Sequence, residues 1–417
     1  MSLNEWPAYK RIAVDVVSAT GSELTTRDGR TVLDLYGGHC VNTLGAGDAE
    51  LGRVLSRQWR DWSFATNLLD HGPRREFLQA FERLMPAGDW CVFVTNSGAE
   101  ANENALKAAL AITGRRRVVA FSGAFHGRTG GAASVSDTKR PAYPSMPFES
   151  LRLPWNDLAA AERTIDASVG AVILEPIQSL AGVQEPAPGF LETLRRRCDA
   201  GGALLIFDEV QTGNGRLGTY WASQRFGVMP DLFTTAKGAA GGYPIGLTVA
   251  RAALASSTPE GLMGTTFGGG PLALAMASAV ARRISAPGFL EHVRAVGSDF
   301  RACCVRGPVA QVRGEGLLLG LVLKPGHKAA VVRDALLAQG VLVGTCDDPS
   351  VLRLSPALNL PSDAPARLAA ALDAVAAETE KASAAAVPTP PEAATPALGS
   401  SASPRPAGKP AALGAGS

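Results

Sequence analysis

The chain has 417 residues, 46% of them hydrophobic, and a net charge of +2 with acids and bases interspersed. It is long enough for two sizeable cores and carries neither the basic footprint of a nucleic-acid binder nor an acidic tail. Six scattered cysteines (Cys40, Cys91, Cys198, Cys303, Cys304 and Cys346) form no Cys-x-x-Cys pair and no metal-ligand cluster, so they read as reduced core thiols of a cytoplasmic protein, with no metal expected.

The N-terminus has no basic segment followed by an apolar one, and no apolar run approaches the roughly 18 residues of a membrane span, so neither a signal peptide nor a membrane partner is expected. Between Val14 and Leu35, short apolar runs punctuated by Gly21-Ser22 and Asp28-Gly29-Arg30 predict a meander or hairpin. Tyr36 to Gly45 is too rich in glycine for a regular element and predicts a loop whose backbone approaches something closely. Helical spacing follows from Glu50 to Trp62 and from Arg74 to Leu84.

Cys91 to Thr95 predicts a strand running through Asn96-Ser97-Gly98-Ala99 into an alanine-rich helix that ends near Ile112. A small turn from a strand into a helix N-terminus is a prepared anion site, because the first backbone N–H groups have no partner and the dipole favours negative charge. An equally good local reading is a capped helix, with Ser97 as cap and Glu100 completing a capping box.

Strands then alternate with helices at Arg117–Phe121, Val169–Glu175, Ala203–Asp208, Leu232–Thr235 and Gly246–Ala250, which predicts a mostly parallel sheet covered on both faces. A helix follows Pro271 to about Ser285. Strands near Val309–Arg313, Leu317–Val322 and Val351–Leu354, with helices near Lys328–Gln339 and Asp363–Lys381, predict a smaller α+β domain. The expected division is an N-terminal segment over 1–50 that joins the small domain, a large α/β domain over 51–274, the small domain over 275–381 and a tail over 382–417. The tail is so rich in Ala, Pro and Ser that it cannot offset its ordering entropy.

The apolar run from Leu204 ends in Asp208 and Glu209, at the strand end where open α/β sheets place their ligands. The following strand leads to Ala236-Lys237-Gly238. Taken singly, a strand-end acid is often a helix cap and a lone lysine is usually solvated. Together they are the pair that pyridoxal phosphate requires: a lysine to form the Schiff base and an acid to keep the pyridine nitrogen protonated. Gly213-Asn214-Gly215-Arg216-Leu217-Gly218 fits the dinucleotide pattern G-x-G-x-x-G in the wrong context, since Asp208 to Thr212 separate it from the strand and Asp231 precedes the next strand instead of ending it.

Six blocks occur in order: Asn96 to Glu103, Phe125-His126-Gly127-Arg128-Thr129, Glu175-Pro176-Ile177-Gln178, Asp208 to Gly218, Ala236-Lys237-Gly238 and Gly264 to Ala273. Together they resemble the pyridoxal-phosphate-dependent class III aminotransferases from about Tyr36 to Pro361, and most of all the acetylornithine and acyl-lysine aminotransferases. The resemblance implies fold type I, with a mostly parallel seven-stranded-type central sheet, and a homodimer with shared active sites. It also implies transfer of an ω-amino group to 2-oxoglutarate by ping-pong kinetics through the pyridoxamine form of the cofactor. The same fold also serves racemases, aminomutases and decarboxylases, and a non-catalytic cofactor-binding protein is the remaining alternative.

By the same resemblance, Lys237 is the Schiff-base lysine and proton carrier, and Asp208 bonds the pyridinium nitrogen. Gln211 bonds the phenolic oxygen, while Val210 and Phe125 lie on the two ring faces. Gly98 and Ala99 give backbone N–H groups to the phosphate, and Thr266 reaches the phosphate of a neighbouring subunit's cofactor. Arg353 is implied to hold the α-carboxylate of glutamate, and Arg128 its distal carboxylate or the far carboxylate of an ω-amino substrate, since a guanidinium pairs a carboxylate bidentately. The pattern breaks after Gln178, where such enzymes usually continue with a glycine and a glutamate that masks the second arginine. Here Ser179 and Leu180 stand instead, and Gly270 replaces a usual asparagine.

Overall fold

In the computed structural model, residues 11–138 and 148–385 are described. Strands β1 (Val16–Thr20), β2 (Glu23–Thr26) and β3 (Thr31–Asp34) form an antiparallel meander. The central sheet comprises β4 (Trp90–Thr95), β5 (Arg117–Phe121), β6 (Glu149–Leu153), β7 (Val169–Leu174), β8 (Leu204–Asp208), β9 (Leu232–Thr235) and β10 (Gly246–Arg251), in the order β4-β10-β9-β8-β7-β5-β6. Only β10 runs against its neighbours.

A strand buried on both faces has no polar side to show, and all six residues of β7 are buried. Alternate residues feed two cores. Val172, Leu174, Leu205, Phe207 and Phe233 meet Phe190 and Leu194 of helix Phe190–Gly201, while Ala171, Ile173, Ile206 and Leu232 meet Ala105 and Ala109 of helix Gly98–Thr113. Each such leucine, isoleucine or phenylalanine stabilises the fold by about 1.5–3 kcal/mol relative to exposure.

Helix Ala49–Asp61 begins at Asp48, whose carboxylate accepts from the N–H groups of Glu50 and Leu51, both at 3.0 Å. It packs with helix Gly72–Glu82 against helix Pro271–Ile284, whose proline at the first turn lacks only an N–H that would have no helical partner. Beyond these, β11 (Val309–Glu315), β12 (Leu318–Leu323), β14 (Gly344–Thr345) and β15 (Val351–Leu354) form an antiparallel sheet, and β13 (Val341–Leu342) pairs in parallel with β3.

Among the elements not expected from the sequence, strand β6 is half-polar at the edge of the sheet, and helix Phe289–Cys303 buries only a narrow stripe, with Val293, Val296, Gly297 and Phe300 inside. The cysteines are all free, yet Cys91 on edge strand β4 is exposed and Cys303 and Cys346 are half-buried, so the expectation of core thiols holds for Cys40, Cys198 and Cys304. No helix among the described residues is long and apolar enough to cross a membrane. The last helix spans Ala364–Ala385, so the tail expected from 382 lies, from 386 onward, outside the described residues.

Candidate active site

The carboxyl ends of β8 and β9 open onto a cavity of about 780 Å³. Its wall includes Gly98, Ala99, Phe125, Arg128, Asp208, Val210, Gln211 and Lys237, which brings together eight of the ten residues singled out in the sequence. Arg353 lies just behind the wall, and Thr266 is exposed outside this cavity.

Asp208 ends β8 opposite Thr234 of β9 and is held from three sides. Its Oδ1 accepts from the Val210 N–H at 3.0 Å. Its Oδ2 accepts from Asn102 Nδ2 at 2.7 Å and lies 2.8 Å from His126 Nδ1. Asn102 is fixed in turn: Thr234 Oγ1 donates to its Oδ1 at 2.6 Å, and its Nδ2 also donates to the His126 carbonyl at 2.7 Å. With Asp208 ionised, His126 carries its proton on Nδ1 and donates. Sequence reading missed both supports, although His126 follows Phe125 directly and Asn102 stands one helical turn after Gly98.

Lys237 follows β9 and opens a single 3-10 turn, Lys237–Ala240, with a left-handed φ of 45°. A non-glycine residue in that region costs about 1–2 kcal/mol and persists only where its surroundings enforce it. Next to it, a Cβ on Gly238 would lie 1.9 Å from Thr43 Oγ1, so this close approach requires glycine. Burial depresses the Lys237 pKa and the charge of Arg353 pushes the same way, against the opposing pull of Cys40, Asp208 and Glu175. A lowered lysine pKa raises the fraction of neutral, nucleophilic amine.

Helix Gly98–Thr113 points its N-terminus at the cavity. Ser97 caps it by accepting from the Glu100 N–H at 3.2 Å, but Glu100 reaches back to the Asn96 N–H at 2.8 Å, not to that of Ser97, so the capping box is shifted by one residue. Glu175, buried behind Phe125, accepts from the Phe125 N–H at 3.0 Å. Burial, reinforced by the charge of Asp208, pushes its pKa up to about 7. Glu209 is buried too, and burial raises it to about 8, while its carboxylate receives the Ala222 and Ser223 N–H groups at the start of helix Ala222–Phe226. Glu209 therefore serves the fold, whereas Asp208 serves the cavity.

Arg353 on β15 is fully buried. Its Nη1 donates to Ser179 Oγ at 3.0 Å and Gln211 Oε1 at 3.2 Å, and its Nη2 lies 2.8 Å from His39 Nδ1. No carboxylate pairs with it among the described residues, and its Nε is buried without a hydrogen-bond partner there. The absent glutamate is thus replaced by three neutral acceptors. Gln211 Oε1 also accepts from Ser179 Oγ at 3.1 Å, which fixes the amide and leaves its Nε2 as the donor toward a ligand.

The class III aminotransferase family model matches residues 6–375. An acetylornithine aminotransferase of Xanthomonas campestris pv. campestris is 38% identical over 397 residues, covering 89% of this chain and 96% of the relative. One of Streptomyces coelicolor is 40% identical over 365 residues, covering 85% and 89%. Among solved structures, the ornithine aminotransferase of Toxoplasma gondii superposes with a TM-score of 0.83 at 27% identity, covering 90% of this chain and 92% of that one. The N-acetylornithine aminotransferase of Stenotrophomonas maltophilia gives 0.78 at 30% identity, covering 90% and 98%.

Proposed function

Because the chain belongs to the class III aminotransferases, pyridoxal-phosphate-dependent transaminases, we propose that it moves the side-chain amino group of an acetylornithine-like or acyl-lysine-like donor to 2-oxoglutarate. The names of its relatives favour that donor class. The observation that carries the reading is the single cavity that holds the carboxylate of Asp208, the amine of Lys237 and a helix N-terminus at Gly98 and Ala99. A ring nitrogen, an aldehyde and a phosphate have their complements in those three groups.

When bound, pyridoxal phosphate supplies the aldehyde that captures the amino group and the protonated ring that withdraws electrons from the reacting carbon. In this reading Lys237 would hold the cofactor through its amine and, as a neutral amine, would serve as the base that moves a proton at the reacting substrate carbon. Asp208 would face the ring nitrogen and favour its protonated form, and Asn102 and His126 hold Asp208 in that direction. Gln211 would donate to the phenolic oxygen, Val210 and Phe125 would pack against the ring, and Gly98 and Ala99 would give their N–H groups to the phosphate. Arg128 and Arg353 take the carboxylates of the substrates.

Thr266, exposed and outside its own chain's cavity, fits a role at the cofactor phosphate of a second subunit, so the active form is a homodimer with shared sites. Six unpaired thiols fit a reducing, cytoplasmic setting. The test is a panel of amine donors offered with 2-oxoglutarate or pyruvate and read by the cofactor's absorbance. Turnover that depends on the oxo acid and favours acylated ornithine or lysine supports the proposal. Product formed without an oxo acid would point to racemase, aminomutase or decarboxylase chemistry.

A further inference from the structure

The sequence departs from the family pattern beside Arg353, and the structure fills the gap from an unexpected direction. Gly37 to Cys40 form a left-handed turn, with φ values of 57°, 57°, 61° and 68° along the chain. Two of these residues, His39 and Cys40, are not glycine, and a left-handed pair of this kind persists only where its surroundings enforce it. The enforcement is visible: Asp34 Oδ1 accepts from the N–H groups of Tyr36 and Gly37 at 2.9 Å, and Ser355 Oγ donates to the Tyr36 carbonyl at 2.7 Å. The outcome is that the His39 imidazole stands at the cavity wall, edge-on to Tyr36 with ring centroids 4.7 Å apart, and its Nδ1 meets Arg353 Nη2 at 2.8 Å.

A guanidinium only donates, so His39 Nδ1 accepts and its proton sits on Nε2. The imidazole is therefore neutral, as are the other two acceptors of Arg353, Ser179 Oγ and Gln211 Oε1. Arg353 is oriented by its surroundings without being neutralised by them, and its Nε is buried without a partner among the described residues. We propose that His39 is the positioning residue for Arg353, holding it by a neutral acceptor as an unmasked anion site that takes a substrate carboxylate without displacing an internal one. This deepens the proposed function and rests on its assignment of Arg353 to carboxylate binding.

Two substitutions suit the strained turn, because glycine and asparagine are the residues that adopt left-handed backbone most readily. His39→Gly removes the acceptor, and His39→Asn retains one. The holoenzyme is titrated calorimetrically with glutarate, which carries two carboxylates and no oxo group and so cannot react. His39→Gly is expected to weaken glutarate by about tenfold and to raise KM for 2-oxoglutarate by a similar factor, with kcat changed less than about threefold, the loss of one charge-assisted hydrogen bond. His39→Asn is expected to stay within about threefold of the unsubstituted enzyme, with the cofactor absorbance of both variants intact. Equal glutarate affinity in the unsubstituted and glycine forms, an asparagine form as weak as the glycine form, or a fall in kcat matching the rise in KM would each overturn the inference. Those results with transamination intact leave the proposed function standing. A histidine-dependent glutarate site on a chain that transaminates no donor would sink the function and leave the positioning role.

Discussion

Asn102 Nδ2 donates to Asp208 Oδ2 at 2.7 Å across the join between a helix and a strand end more than 100 residues apart in sequence. The bond does more than close a buried gap. With His126 at 2.8 Å and the Val210 N–H at 3.0 Å, it surrounds the carboxylate with hydrogen-bond partners and fixes its direction. Asn102→Ala removes one donor to Asp208 and strands Thr234 Oγ1, which donates to Asn102 Oδ1. At roughly 1–3 kcal/mol for such a buried loss, the cofactor should bind about tenfold more weakly or worse, as measured by release of pyridoxal phosphate from the holoenzyme.

Leu180 follows Ser179, which bonds Arg353, and lines the cavity. An acid at this position would compete with substrate for Arg353. Leu180→Glu is expected to raise KM for 2-oxoglutarate by about tenfold while leaving KM for acetylornithine within about threefold. Steady-state kinetics with each substrate varied in turn gives the ratio, and an unchanged ratio would remove Leu180 from the account of specificity.

Arg128 stands exposed at the mouth of the cavity. Assigned to the carboxylate farthest from the reacting carbon, it should discriminate dicarboxylic from monocarboxylic oxo acids. Arg128→Leu should cost 2-oxoglutarate about 10- to 100-fold in kcat/KM, the worth of a charged, bidentate hydrogen bond, and cost pyruvate little.

Much of this was legible because the central sheet's strands are continuous apolar runs ending in polar residues, a signal that survives without any tertiary knowledge. The cavity residues of β8 and β9 sit at those run ends, so Asp208 and Lys237 were found together. Strand β6 was missed because an edge strand with one polar face resembles a loop, and His39 was missed because a left-handed turn has no periodicity to detect. Asn102 looked like one more helical residue. Its importance depends on Thr234 and His126 converging from other elements, which spacing along the chain does not reveal.

Glu175 offers a stability test with a definite sign. Burial raises its pKa to about 7 in the folded chain, above the ordinary glutamate value of about 4.3 expected on unfolding. Between those values the folded state binds more protons than the unfolded state, so this group's contribution to stability falls as pH rises from about 4.3 to 7 and levels off above. Thermal melting at pH 5 and pH 7.5 should therefore show a smaller loss in Glu175→Gln than in the unsubstituted chain. An identical loss in both would mean that Glu175 is ionised throughout.

The role of Lys237 is open to direct chemical capture. Borohydride reduction of the holoenzyme followed by peptide mass spectrometry should place the phosphopyridoxyl group on the peptide containing Lys237, and Lys237→Ala should carry no such label and lose at least about 10³-fold in turnover. The label on any other lysine, or turnover surviving in Lys237→Ala, would contradict the account.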